Sequence, residues 1–289
     1  METTANRYYV PHGTRWPIFG SIGLALILGG FARWLDNDAG GQWLMIAGLV
    51  VLVTMLFGWF GTVIMESERG TYNHQVDRSF RWAMTWFIFS EVIFFGVFFG
   101  ALFYARELSV PWLAGEGSNF FTNLILWMGF ENTWPTAGPA ATAAQSFGIM
   151  NAWGIPAINT AVLLSSGVTI TIAHHMLLAR KRAGLIVFQA ATFLLGMTFL
   201  ALQAHEYIHA YTELNLRLDS GIYGSTFFML TGFHGLHVTL GTIMLIVIWL
   251  RILRGHFNPE HHFAFQAVAW YWHFVDVVWL ALFIFVYWL

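Results

Sequence analysis

The sequence predicts an all-α integral membrane protein with seven transmembrane helices, and three observations predict it. Of 289 residues, 57% are hydrophobic and only 10% charged, against about 25% charged in soluble domains. Seven apolar runs are each long enough to cross a hydrocarbon core of about 30 Å at about 1.5 Å per helical residue. The cations gather on one side of those runs.

In chain order the spans are about 16–34, 42–64, 81–105, 156–178, 184–208, 222–250 and 264–288. Arg33 and Asp36 cut the first one short, and the sixth is long enough to tilt. The polar start METTANRYYVPHGTRWP lacks the pattern of a cleaved signal, so the first run reads as a retained span. The one long connection, 106–155, is expected as an outer loop, broken by Pro111, Gly115, Gly117, Pro135, Gly138 and Pro139. Within it FFTNLILWMGF (120–130) reads as a short interfacial helix, too short to span. Gly96 and Gly100 form a small-residue step on the third span, and Gly232, Gly235 and Gly241 do so on the sixth.

With the N-terminus on one side, that side holds Arg7, Arg15, Arg69, Arg78, Arg81, Arg180, Lys181, Arg182, Arg251 and Arg254. The other holds Arg33, Arg106 and Arg217. Ten of the thirteen cations on one side place the N-terminus inside, cytoplasmic or matrix, and the C-terminus outside. A net charge of −2 gives no basis for a nucleic-acid partner. With no cysteine, disulfides, thiolate metal sites and iron–sulfur clusters are excluded.

Polar residues inside the spans are the candidate functional groups. Glu91 lies roughly 15 Å along the third span from Arg81, near the bilayer midplane. A charge there costs at least about 2.5–3.5 kcal/mol, so it needs a partner, a proton or a cavity. Its neighbours on its own helix face are Phe87, Ile88, Phe94, Phe95 and Phe98, none of which pairs with a carboxylate. Two readings follow: a neutral acid hydrogen-bonded to a neighbouring helix or to lipid, or a group that handles protons. His234 and His237 stand at i,i+3 in the sixth span, and His273 and Asp276 do so in the seventh. They read as an interhelical hydrogen-bond network in preference to a metal site. The adjacent pairs His174–His175 and His261–His262 face apart on a helix and are poor chelates.

His205–Glu206–Tyr207–Ile208–His209 spells H-E-x-x-H, which sets two imidazoles on one helix face with a glutamate beside them, as a zinc hydrolase requires. No third ligand is evident beyond Glu213 and Asp219, and the motif sits at the outer end of its span. A membrane zinc metalloprotease is therefore one alternative function. A proton-coupled transporter is another, although internal repeats and broken helices are not evident.

Four stretches carry a resemblance: FIFSEVIFFGVFF (87–99), NTAVLLSSGVTITIAHH (159–175), GIYGSTFFMLTGFHGLHVTLGT (221–242) and HHFAFQAVAWYWHFVDVVWL (261–280). RYYVPHGTRWPIFGS (7–21) and MESERG (65–70) agree more loosely. Through them the chain resembles, essentially end to end, subunit III of the haem–copper cytochrome c oxidases, of bacterial type.

The resemblance implies a single domain over 1–289: a two-helix part (1–64) and a five-helix bundle (81–289), separated by a cleft filled with phospholipid. It implies no haem, copper or zinc in this chain, with haem and copper in the partner subunits. The implied partners are subunit I as main contact, subunit II, structural phospholipids, and cytochrome c bound by the whole complex. The implied role is a subunit without redox centres in a proton-pumping enzyme that passes electrons from cytochrome c to oxygen. It would stabilise the catalytic core and sustain proton uptake and access of lipid or oxygen. The implied place is the bacterial cell inner membrane, N-terminus cytoplasmic and C-terminus periplasmic.

Residue by residue, the family's carbodiimide-reactive carboxylate falls on Glu91. The implied lipid contacts fall on Trp59, Glu66, Tyr72 and His74. His234, His237, His273 and Asp276 remain structural, and no residue is assigned to catalysis or to metal. His205 and His209 depart from the family pattern, which makes H-E-x-x-H a decoy. Glu91→Gln is expected to assemble normally and keep most oxidase activity.

Overall fold

A computed structural model describes residues 13–141 and 146–289. The polar N-terminal stretch, with Arg7, lies outside the described residues. The helices are α1 (Trp16–Leu35), α2 (Gly40–Glu68), α3 (His74–Phe103), α4 (Val110–Leu113), α5 (Phe120–Leu126), α6 (Ile155–Leu178), α7 (Arg182–Thr212), α8 (Gly221–Leu253) and α9 (Phe263–Leu282). π-Helical turns, Tyr104–Ser109 and Phe283–Trp288, extend α3 into α4 and close the chain after α9. Seven helical stretches are long and apolar enough to cross a membrane, and they match the seven expected spans. The chain is a multi-pass membrane protein.

The third span differs from expectation at its outer end. It runs as one helical stretch over His74–Leu113, so the first eight residues of the expected loop 106–155 are helical. Pro111 does not end it. The proline sits in the first turn of α4, where a missing N–H costs little because the preceding turn is already π-helical. The expected interfacial helix is α5. The Asn123 side-chain amide holds it in place, its two N–H groups shared among the carbonyls of Leu113, Trp127 and Phe130 at 3.0 to 3.2 Å.

Two compact units divide the chain, one ending at Trp82 and the other running from Ala83 to Leu289. In the first, α1 and α2 pack antiparallel through glycine. A Cβ added to Gly30 would come within 2.7 Å of the Gly41 carbonyl oxygen, and one on Gly48 within 2.7 Å of that of Gly23. The backbones therefore touch where any side chain would separate them. The connecting turn, with Asn37 at φ 60°, is tied by Arg33, which donates from Nε and Nη2 to Asp38 Oδ2 at 2.9 and 2.6 Å. Asp38 Oδ1 accepts from the Gly40 N–H at 2.8 Å. The Arg33 guanidinium and then that N–H hold the Asp38 carboxyl below its ordinary range.

In the second unit, α9 is the central helix. In its most apolar stretch 61% of residues are buried, against 33% in α6, 28% in α7 and 39% in α8. Its indoles anchor it to α6: Trp272 Nε1 donates to Ser166 Oγ at 2.8 Å and Trp279 Nε1 to Thr160 Oγ1 at 2.9 Å. Gln189 joins α7 to the Leu245 carbonyl of α8, and Trp249 returns from α8 to the Ile186 carbonyl of α7. Of the glycines expected to admit a neighbour, only Gly241 does so closely, with the Trp272 ring 2.8 Å from an added Cβ. Nothing in the described chain comes within 4 Å at Gly96, Gly100 or Gly235, and Gly232 meets only the Tyr207 hydroxyl at 3.6 Å. Small-residue spacing shows where a helix can approach, not whether one does.

Candidate functional site

Glu91 does have a partner, and it comes from α8. His237 Nε2 lies 2.8 Å from Glu91 Oε2, and His237 Nδ1 lies 2.6 Å from the Phe233 carbonyl oxygen. The two contacts together constrain the protons. A carbonyl only accepts, so Nδ1 carries a hydrogen and donates it. Nε2 of a neutral ring would then be an acceptor, and so would an ionised carboxylate. The 2.8 Å contact therefore contains one proton, placed either on Glu91 or on Nε2. Either way the pair carries no net charge, so Glu91 is not a lone charge at this depth. Phe94, Phe95, Tyr271 and Phe274 surround the imidazole with ring-centroid separations of 5.1 to 6.4 Å. The phenylalanines beside Glu91, unable to bind it, form part of the wall around its partner.

The four residues read as one network separate into three environments. His237 joins Glu91. His273 Nδ1 stands 3.6 Å from Asp276 Oδ2, and its Nε2 is 3.3 Å from Thr171 Oγ1 on α6. His234, 1% exposed, lies against Phe199 and Trp279, and neither ring nitrogen makes a hydrogen bond among the described residues.

H-E-x-x-H does not assemble. Glu206 points into the bundle, 1% exposed, one turn beyond Gln203. His205 is exposed on the outside of α7, and His209 Nδ1 turns to Glu213 Oε2 at 3.1 Å. The expectation of a glutamate beside two imidazoles is corrected by helix geometry: residue 206 is rotated about 100° from residue 205. Among the described residues no three His, Cys, Asp or Glu side chains are placed to hold a metal ion. Inward of this level a polar thread crosses three elements. Asn159 donates to Gln203 at 3.5 Å and Gln203 to the Tyr287 hydroxyl at 3.4 Å. Sequence reasoning missed this thread, although Gln203 and Glu206 at i,i+3 hint at a polar stripe on α7.

The lipid candidates all lie in the first unit. Tyr72 donates to Glu66 Oε2 at 2.7 Å and packs edge-on against Phe80. Trp59, 46% exposed, stacks on Phe60, while His74 opens α3 and is exposed. Glu66 also lines a cavity of about 400 Å³ with Arg15, Trp16, Phe19 and Thr62. Arg15 was not a candidate from sequence; its place one residue before a Trp-Pro helix start was the available signal.

The family model for cytochrome c oxidase subunit III matches residues 6–289. The chain belongs to that family. Cytochrome c oxidase subunit 3 of Cyprinus carpio is 39% identical over 289 residues, covering 100% of this chain and 99% of the relative. Those of Tetraodon nigroviridis and Hippopotamus amphibius are 38% and 37% identical with the same coverage. As a member of the subunit III family the chain is a subunit of cytochrome c oxidase, an oxidoreductase complex, and works with other oxidase subunits. Neither the metalloprotease nor the transporter reading is supported.

Proposed function

We propose that this chain is the oxidase subunit without redox centres that stabilises the catalytic core and sustains proton uptake, while haem and copper belong to the partner subunits. Subunit I is its main contact, with subunit II and structural phospholipids beside it, and cytochrome c docks on the whole complex. The observation that carries this reading is the Glu91–His237 contact between α3 and α8, whose geometry fits a single shared proton. Support for lipid association comes from the cavity at Glu66, where Arg15 matches a phosphate and Glu66 an amine. A lipid-filled cleft and a role in oxygen access rest on the family reading. The charge distribution supports an inward N-terminus and an outward C-terminus, and the bacterial inner membrane rests on the family reading. In a mitochondrion the same asymmetry would direct the N-terminus to the matrix.

The test is oxidase activity over many turnovers, with and without this chain. A role in proton supply predicts an assembled enzyme that fails progressively when the chain is missing. Loss of assembly without the chain would leave the stabilising role alone and refute the role in proton supply. Within the site, Glu91→Gln keeps a hydrogen-bonding group opposite His237, and the complex is expected to assemble and keep most of its activity. His237→Leu strands the acid, and subunit retention is expected to fall further than in Glu91→Gln. Equal retention in the two variants would refute the shared proton.

A further inference from the structure

Thr171, His273 and Asp276 form a polar cluster where α6 meets α9, and it does not face the bundle interior alone. The His273 side chain is 45% exposed, while that of Asp276 is 8% exposed. His273 lies ten residues into the last span, about 15 Å from its inner end, and therefore close to the midplane. Thr171 and Val168 on α6 and Val277 on α9 are exposed around it; Val168 is 60% and Val277 65% exposed. Gly167 makes the cluster possible, since a Cβ there would collide with Asp276 Oδ2.

Ionisable side chains at this depth face a bundle interior, a water-filled cavity or a polar partner, because hydrocarbon offers no hydrogen bond. His273 is half-open at midspan among aliphatic residues, so the outward side of the cluster is out of place against lipid. The flanking valines are short and leave a low surface that a second helix can pack against.

We propose that the α6–α9 face bearing Val168, Thr171, His273 and Val277 docks on a membrane-spanning helix of another oxidase subunit. That helix would present a polar group to His273 at the bilayer midplane. The inference rests on the reading of this chain as a subunit of the oxidase complex, and it names the face by which it is held.

The experiment uses the whole oxidase in its native membrane. A benzophenone amino acid is placed at Val277 or Val168, with Val187 on α7, 62% exposed, as the reference position. After illumination, the 277 and 168 samples are expected to yield adducts with another oxidase polypeptide, and the 187 sample at least about tenfold fewer. Adducts only with phospholipid, with a second copy of this chain or within the chain itself overturn the proposal. A second variant, His273→Phe, keeps the bulk and removes the polar edge. Retention of the chain through detergent purification is expected to fall about threefold to tenfold, and retention equal to wild type overturns the polar contact. Co-purification of haem is scored first in the same samples. Its absence defeats the oxidase reading itself; its presence with lipid-only adducts defeats the docking face alone.

Discussion

The α1–α2 pair and the α6–α9 bundle join helices inside lipid in opposite ways. In the pair, glycines bring backbone against backbone: Gly41 faces the Trp34 backbone and the Gly30 carbonyl with room for hydrogen only. In the bundle, large side chains span the gap and end in hydrogen bonds, as Trp272 does on Ser166 and Trp279 on Thr160. Lipid tails are as apolar as leucine, so apolar burial does little to hold helices together in a membrane. What remains is close packing or polar contact, and each unit relies mainly on one. A glycine interface fails when volume is added. An indole interface fails when volume or a polar partner is removed.

Trp272→Ala is the sharpest test of this division. Trp272 is fully buried, and the loss is expected near about 3 kcal/mol, the low end for such truncations, because the membrane-inserted unfolded state returns little surface to water. Thermal denaturation of the purified complex measures it. Gly41→Leu is expected to cost about 1–3 kcal/mol by overpacking and to separate α1 from α2, read by disulfide trapping between cysteines introduced on the two helices. If Gly41→Leu were silent, the pair would not depend on close approach. Ser166→Ala leaves the Trp272 N–H unpartnered while keeping the ring in place. Its cost is expected at about 0.6–1.7 kcal/mol, between the average and the maximum for interhelical hydrogen bonds in membranes; a cost matching Trp272→Ala would place the whole anchor in the hydrogen bond.

The smallest effect belongs to the α1–α2 turn. Folding lowers the Asp38 carboxyl below its ordinary value of 3.8. Its stabilising contribution is therefore complete above that value and is lost as pH falls through the depressed one. Asp38→Asn should narrow the gap in melting temperature between pH 5 and pH 3; an unchanged gap would mean that the exposed Arg33–Asp38 pair adds nothing.

Much of the architecture was legible in the sequence because a membrane leaves few alternatives. Once backbone polar groups must be satisfied within each segment, seven apolar runs become seven helices. The miss at Arg106–Leu113 came from treating Pro111 as a break, when it sits in the first turn of α4. The site was less legible. Glu91 and His237 are 146 residues apart, and helical periodicity describes one helix face, never the helix opposite. Glu206 shows the same limit in reverse, since a motif read as a string was divided by helix rotation into an inward acid and outward imidazoles.

The Glu91–His237 pair also has a consequence for membrane voltage. A charge crossing the full bilayer exchanges about 2.3 kcal/mol per 100 mV with the field. The proton between Oε2 and Nε2 moves less than about 1 Å of a roughly 30 Å path, so its share is under about 0.1 kcal/mol per 100 mV. A transmembrane potential therefore hardly moves the proton from one residue of the pair to the other. Which of the two side chains holds the proton is set by local geometry and by how firmly α3 and α8 are held together.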